Sequence, residues 1–266
     1  MIDTHCHLTY EGLHERIDEV VAAAEGAGVD RMISVGTSPG DARMAVTLAG
    51  QYEGIFATVG LHPLHAQECA DRAALQAAIR ALVGYPKVVA LGEMGLDRHY
   101  GDPPFEQQQQ VFSWQLELAA ELSAAGRNWP MIIHNRKATD DVLAMIASSG
   151  LPAWRFVFHC FTGSAEEVEA ILAAGAMVSF TGIVTFKNSA DLAAASDRVP
   201  LNRLMIETDS PYLTPEPFRK IRPNEPRYVS DVARFLAQRR GIDLNDFVAA
   251  VDANAERFFR LPAHAS

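Results

Sequence analysis

Six residues are spaced along the chain as ligands of metal ions would be. His5 and His7 form a His-x-His pair near the start, His134 and His159 each end a short apolar run, and Glu93 and Asp209 each follow one. Imidazole suits Zn, Mn, Fe, Ni or Co, and a carboxylate can bridge two ions. Four imidazoles and two carboxylates are too many for one ion with open positions. They suit two divalent ions about 3.5–4 Å apart, with Mg, Mn and Zn all open as identities. Two such ions bring the pKa of a shared water toward neutrality and neutralise charge on a phosphoryl oxygen. The predicted reaction class is metal-assisted hydrolysis, with a phosphodiester or phosphomonoester as a suitable substrate. His62 and Arg136, the latter two residues past His134, are candidates for holding phosphate. Asp209 can hold an ion and serve as proton acceptor. Asp97 and Glu207 either support the ligands from behind or cap loops.

These residues need a scaffold that gathers them at one end. Short runs rich in Val, Ile, Phe or Met predict strands at 2–8, 31–36, 55–60, 88–92, 130–134, 155–159, 176–180 and 203–207. Between them, Ala- and Leu-rich segments at 12–27, 40–52, 71–83, 105–126, 138–149, 164–174 and 188–197 carry helical spacing, and two more cover 227–240 and 244–259. Eight strands alternating with helices over roughly 250 residues predict a (β/α)₈ TIM barrel, with a doubly wound open sheet as runner-up. In a barrel the C-terminal strand ends line the active-site face, and there the candidate ligands fall. Strand alternation turns His5 and His7 the same way and Cys6 the other. The stretch 211–226 holds five of the fourteen prolines, at 211, 215, 217, 223 and 226. It reads as a long, stiff loop over the barrel mouth.

Composition narrows the classes. The 266 residues are 48% hydrophobic and 21% charged, as in an ordinary globular chain. No composition break or linker divides them, so one domain over 1–266 is expected. No apolar run reaches the ~18 residues of a membrane span. Cys6, Cys69 and Cys160 are sparse and odd in number, which is not a disulfide framework. With no signal-peptide pattern at the start, a reducing cytoplasm is expected. Cys6 and Cys160 flank ligands and read as packing residues, His14, His99 and His264 read as surface residues, and His65 has no assigned role.

Several motifs carry a family resemblance. IDTHCHL at the start, GLHP at 60–63, GEMGLD at 92–97, IHNR at 133–136, HCFTG at 159–163, ETDSPYL at 207–213 and KIRPNEP at 220–226 occur in that order. Together they resemble the TatD family of metal-dependent hydrolases, within the amidohydrolase superfamily of TIM barrels. The resemblance implies divalent-metal-dependent deoxyribonuclease activity, including 3′→5′ exonuclease action on DNA, single-stranded or at ends. It also implies roles. His5, His7 and Asp209 would bind one ion, His134 and His159 the second, and Glu93 would bridge them. His62, Arg136 and Arg222 would hold substrate phosphate.

Two other readings compete. One is a hydrolase of small phosphate esters, amides or lactones on the same barrel; it fits less well with Arg219, Lys220, Arg222 and Arg227 over the mouth. The other is a non-catalytic nucleic-acid binder or scaffold, which would need a broad basic face or aromatic platforms. The net charge of −10, from 23 basic and 33 acidic residues, opposes broad coating of DNA. Two bound divalent ions would bring it to about −6. A small site where metals and local basic groups hold one or two phosphates remains compatible with that charge.

Overall fold

Runs of Val, Ile, Met and Phe that are apolar on both faces gain most when covered on both, which is the situation of a parallel strand inside a ring of helices. In the computed structural model, which describes residues 1–69 and 71–262, eight such strands form. They are β1 (Ile2–Cys6), β2 (Arg31–Ser34), β3 (Ile55–Val59), β4 (Val88–Asp97), β5 (Met131–Arg136), β6 (Phe156–Phe158), β7 (Met177–Phe180) and β8 (Leu204–Ile206). Their hydrogen-bonded order follows the chain, and every pairing is parallel. The first and last strands meet just past their ends: Asp209 N donates to His5 O at 2.9 Å, His7 N donates to Ser210 O at 2.8 Å, and Cys6 bridges Ser210 in parallel. The expected (β/α)₈ barrel is thereby closed, and the open sheet is excluded.

Ten helices connect and cover the strands among the described residues: α1 (Glu11–His14), α2 (Ile17–Gly26), α3 (Pro39–Gln51), α4 (Arg72–Leu82), α5 (Phe105–Ala124), α6 (Thr139–Ser148), α7 (Ala165–Ala174), α8 (Ala190–Asp197), α9 (Val229–Arg240) and α10 (Leu244–Phe259). Side-chain oxygens cap several of them. Ser38 accepts from Asp41 N, Asp71 from Ala73 N, and Ser164 with Glu167 makes a reciprocal capping box. None of the helices is long and apolar enough to cross a membrane. The stretch 211–226 is turns and bends, as its prolines require. The helix expected over 12–27 is two helices, broken around Arg16. His264 lies outside the described residues.

The barrel interior is layered. One residue from each strand, Ile2, Ile33, Phe56, Ala90, Ile132, Val157, Met177 and Met205, enters a single apolar cluster, which Ala255, Phe259 and Leu261 close from below. Hydroxyls follow: Thr4 Oγ1 donates to Ile206 O, Thr58 Oγ1 to Gly92 O and Ser179 Oγ to the Glu207 carboxylate. The imidazoles and acids come above them. His134 lies two residues beyond Ile132, and His159 two beyond Val157, so they share the inward phase of those strands.

β1 departs from this alternation. Ile2 belongs to the interior cluster, so strict alternation would send Thr4 and Cys6 inward. The register of β1 against β2 shifts between Asp3 and Cys6. Cys6 packs in the outer core, and the His5 and His7 rings face each other at 5.0 Å, edge to face. The His-x-His pair thus faces one way, as expected, by virtue of a register shift that alternation does not foresee. β4 also differs. It runs on through Glu93 to Asp97, with a register shift between Leu91 and Met94, so Glu93 lies within the strand. Gly92 has φ +120°, and a Cβ on Gly60 would meet Gly92 Cα at 2.6 Å. Position 60 requires glycine for β3 to approach β4 this closely, and position 92 for its positive φ and its approach to Ile132, whose O a Cβ would meet at 2.6 Å.

The seam between β1 and β8 is held by a buried acid. Asp3 Oδ1 accepts from Thr208 N at 2.9 Å, and Thr208 Oγ1 donates to Oδ2 at 2.5 Å. Burial pushes the Asp3 carboxyl up from 3.8 to about 8, against the lowering effect of these bonds. Between those values the unfolded chain has released the proton that the folded chain keeps, so stability falls as pH rises through the window. In chelator-treated protein, denaturation across pH 4–8 should show a decline of up to about 1.4 kcal/mol per pH unit relative to Asp3→Asn. Identical pH profiles for the two proteins would refute this account of the seam.

Candidate metal centre at the barrel mouth

Glu93 is 2% exposed and sits at the focus of the site. Its Oε1 lies 2.7 Å from His159 Nε2, 2.9 Å from His134 Nδ1 and 3.3 Å from His62 Nε2; its Oε2 lies 3.4 Å from His5 Nε2. The backbone holds it there, since Glu93 N donates to Gly36 O and Thr58 Oγ1 donates to Gly92 O. Asp209 faces the His-x-His pair, with Oδ1 3.2 Å from His7 Nε2 and 3.7 Å from His5 Nε2. Its φ of +53° is rare for a residue with a side chain, as is the +45° of Cys160. Both lie at the site, where such conformations concentrate.

The electrostatics follow from burial and these contacts. Burial opposes ionisation of Glu93, but the charges of His159 and His62 and hydrogen bonds with His134 and His159 hold its carboxyl well below the usual range. Burial also opposes ionisation of Asp209, and His7 and His5 outweigh it. Burial lowers His5, with the charge of His159 adding to the effect, and takes His62 down to about 4. Burial works against charge on His7, His134 and His159 too, but their carboxylate partners raise all three.

Hydrogen bonds fix which ring nitrogen faces inward. His134 Nε2 lies 3.0 Å from Asp97 Oδ2, which turns Nδ1 toward Glu93 Oε1 at 2.9 Å. Asp97 also accepts from His99 N and Tyr100 N, so it supports a ligand and caps a loop at once. Its carboxyl is pulled down to about 2: burial opposes this, and the bonds from His134 and the two amides prevail. His159 Nδ1 lies 3.5 Å from Glu207 Oε1, within ion-pair distance but without a hydrogen bond, and Nε2 points at Glu93. Glu207 is buried and also accepts from Cys160 N at 2.5 Å and Ser179 Oγ at 2.6 Å. His62 differs from the others. Its Nδ1 accepts from Leu64 N at 3.1 Å, so the neutral ring carries its proton on Nε2, which faces Glu93 Oε1 at 3.3 Å and His134 Nδ1 at 3.0 Å.

This donor set fits divalent cations. His5 Nε2 and His7 Nε2 face each other at 3.3 Å, and two such nitrogens can share only one proton. His5 Nδ1 is buried without a hydrogen-bond partner. Among the described residues, three groups of three ligand atoms lie within metal-binding reach: His5 with His159 and Asp209, His5 with His7 and Glu93, and His62 with Glu93 and His134. The structure brings together all six residues expected as ligands and adds His62 to their ring.

The cavity above them encloses about 760 Å³. Arg136 lines it, with its guanidinium 5.2 Å from the Tyr100 ring centroid. His65 is on the rim, 2.5 Å from Glu68 Oε1. Cys160 lines the cavity wall, where a residue facing away was expected; burial pushes its thiol well up. Cys6 stays in the outer packing. His14 and His99 are exposed. Arg222 is not in this cavity. It borders an adjoining hollow, and its Nη1 donates to Thr214 Oγ1, Arg219 O and Ile221 O. Sequence reading did not single out Asp3, Asn224 or the mouth tyrosines Tyr10, Tyr100 and Tyr212. Asn224 Nδ2 ties Thr208 O to Tyr212 O, and only its place in KIRPNEP hinted at a role.

The sequence pattern of the family described as TatD related DNase matches residues 2–260. The chain belongs to the TatD family. It is 38% identical over 261 residues to a Bacillus subtilis protein named "Uncharacterized metal-dependent hydrolase YabD", covering 98% of this chain and 99% of that one. It is 38% identical over 272 residues to an Erwinia billingiae protein named "3'-5' ssDNA/RNA exonuclease TatD", covering 99% and 100%. A crystal structure of YJJV, a TatD homolog from Escherichia coli K12, superposes with a TM-score of 0.90 at 29% identity over 98% of both chains. As a TatD-family member the chain is a hydrolytic enzyme of the metal-dependent class.

The support that Asp97 gives His134 has a measurable consequence. Asp97→Asn should weaken divalent-ion affinity about tenfold, read by calorimetric titration of chelator-treated protein. An unchanged affinity would show that Asp97 serves only as a loop cap.

Proposed function

We propose that this TatD-family chain, acting as one hydrolase domain, cleaves phosphodiester bonds of DNA from the 3′ end with two divalent ions. His5, His7 and Asp209 would hold one ion, His134 and His159 the other, and Glu93 would contact both. The observation that carries this reading is the convergence of four imidazoles on one buried carboxylate, with Asp209 alongside, at the mouth of the barrel. The exonuclease name of the Erwinia billingiae relative supports a nucleic-acid substrate. When bound, the ions supply a nucleophile at neutral pH and neutralise charge on the phosphoryl oxygens.

The protein groups have separate tasks. Asp209, kept ionised by His7 and His5, accepts the proton of the attacking water. His62 is neutral near pH 7, so it acts as a hydrogen-bond donor through Nε2 rather than as a cation. Once Glu93 and His134 give their lone pairs to an ion, that donor would be released to a phosphate oxygen, the role the resemblance implies. Arg136, packed over Tyr100, offers a planar pair of donors to the same phosphate. Asp97 keeps the ring of His134 aimed inward, and the Glu207 carboxylate lies behind His159 at ion-pair distance.

Chelator-treated protein incubated with end-labelled single-stranded oligonucleotides under Mg, Mn or Zn should shorten them stepwise from the 3′ end. Asp209→Asn should lower the rate by about 10²–10⁴-fold. Cleavage in excess chelator, or a wild-type rate in Asp209→Asn, would overturn the assignment. Turnover of small esters or lactones without any of oligonucleotides would redirect it to that chemistry.

A further inference from the structure

The hollow beside the metal cavity has a chemistry of its own. It has a volume of about 700 Å³ and shares Tyr10, Tyr212 and Leu213 with the cavity, so the two spaces adjoin. Tyr10 and Tyr212 are 46% and 55% exposed, unusual for rings at the edge of a polar site. Their backbones are nonetheless fixed. Tyr212 N donates to Asp209 O, and Asn224 Nδ2 donates to Tyr212 O; Tyr10 N donates to His7 O. The Tyr10 ring also lies over Gly12, where an added Cβ would meet its Cε1 at 3.2 Å and Pro223 Cγ at 3.8 Å. The rings stand edge to face at 6.4 Å, and Tyr212 stands likewise to the ligand His7 at 6.3 Å. Rings at that spacing and angle cannot sandwich a third ring, but each offers an outer face.

The walls suit a base better than a phosphate. The aromatic and proline surfaces of Tyr10, Tyr212, Pro211 and Pro223 give stacking area, and Glu11 and Glu15 repel phosphate while accepting from exocyclic amino groups. Arg222 spends its Nη1 on loop oxygens. Every base has a π-face, so stacking of this kind is tolerant of sequence but requires an unpaired strand.

We infer that this hollow is a nucleobase subsite: the outer face of Tyr212 stacks the base of the nucleotide adjoining the scissile phosphate, with Tyr10 bracing that ring edge to face, and the pair thereby sets the preference for unpaired ends. The inference rests on the nucleic-acid reading of the metal centre. Steady-state cleavage is measured with a single-stranded oligonucleotide and with the same strand made abasic at the penultimate or the terminal position. Tyr10→Ala and Tyr212→Ala should each raise KM for the intact strand about tenfold, and Tyr→Phe at either position should restore it. For one of the abasic strands, wild type should show the raised KM already, and the alanine variants should add nothing further. If wild type cleaves oligonucleotides and the alanine variants keep its KM, or lose equally on every abasic strand, the subsite is refuted while the metal-centre reading stands. If wild type cleaves no oligonucleotide, both fall together.

Discussion

A carboxylate buried without compensation is strongly unfavourable, and Glu93 is a carboxylate buried to 2% exposure. Four imidazole nitrogens within 3.4 Å of it make its position tolerable. None of the four comes from the same strand as Glu93 or as each other: they arrive on or just after β1, β3, β5 and β6. A parallel barrel is the arrangement that delivers four strand ends to one point. The glycine contacts between Gly60 and Gly92 and the Thr58 bond to Gly92 then fix where on β4 that point lies.

The layering beneath the site separates stability from chemistry. Each strand contributes an apolar residue to the floor, and α10 closes it with Ala255 and Phe259. Above the floor, Thr4, Thr58 and Ser179 satisfy carbonyls and the Glu207 carboxylate, so that acids are met by donors before the ligand layer begins. Asp97 and Glu207 then act on His134 and His159 from behind. A site held this way keeps its ligand atoms aimed by groups that do not themselves need to touch substrate.

Much of this was legible in the sequence for physical reasons. Strands buried on both faces leave continuous apolar runs, and residues that end such runs must lie at the barrel mouth. His134, His159 and Asp209 were placed by that logic alone. Boundaries were less legible: Gly92, Glu93 and Gly95 interrupt the apolar pattern of β4, so its continuation to Asp97 left no signal. The shift in β1 is invisible because it depends on pairing with β2 and β8. The tautomer of His62 depends on the Leu64 amide, a contact made by the turn that follows. The resemblance implied a phosphate-holding role for Arg222; in the fold it borders the adjoining hollow, with one amino group bonded to oxygens of its own loop. Single tyrosines in loops carry no periodicity, so Tyr10 and Tyr212 become recognisable only when the fold sets their rings side by side.

The central claim is that the Glu93 cluster is built to hold two divalent ions. Equilibrium dialysis of chelator-treated protein against Mn, with metal counted per chain, tests it most directly. The account predicts saturation at two ions in the wild type and loss of at least one in Glu93→Gln. Saturation below two in the wild type, or an unchanged count in Glu93→Gln, would contradict it.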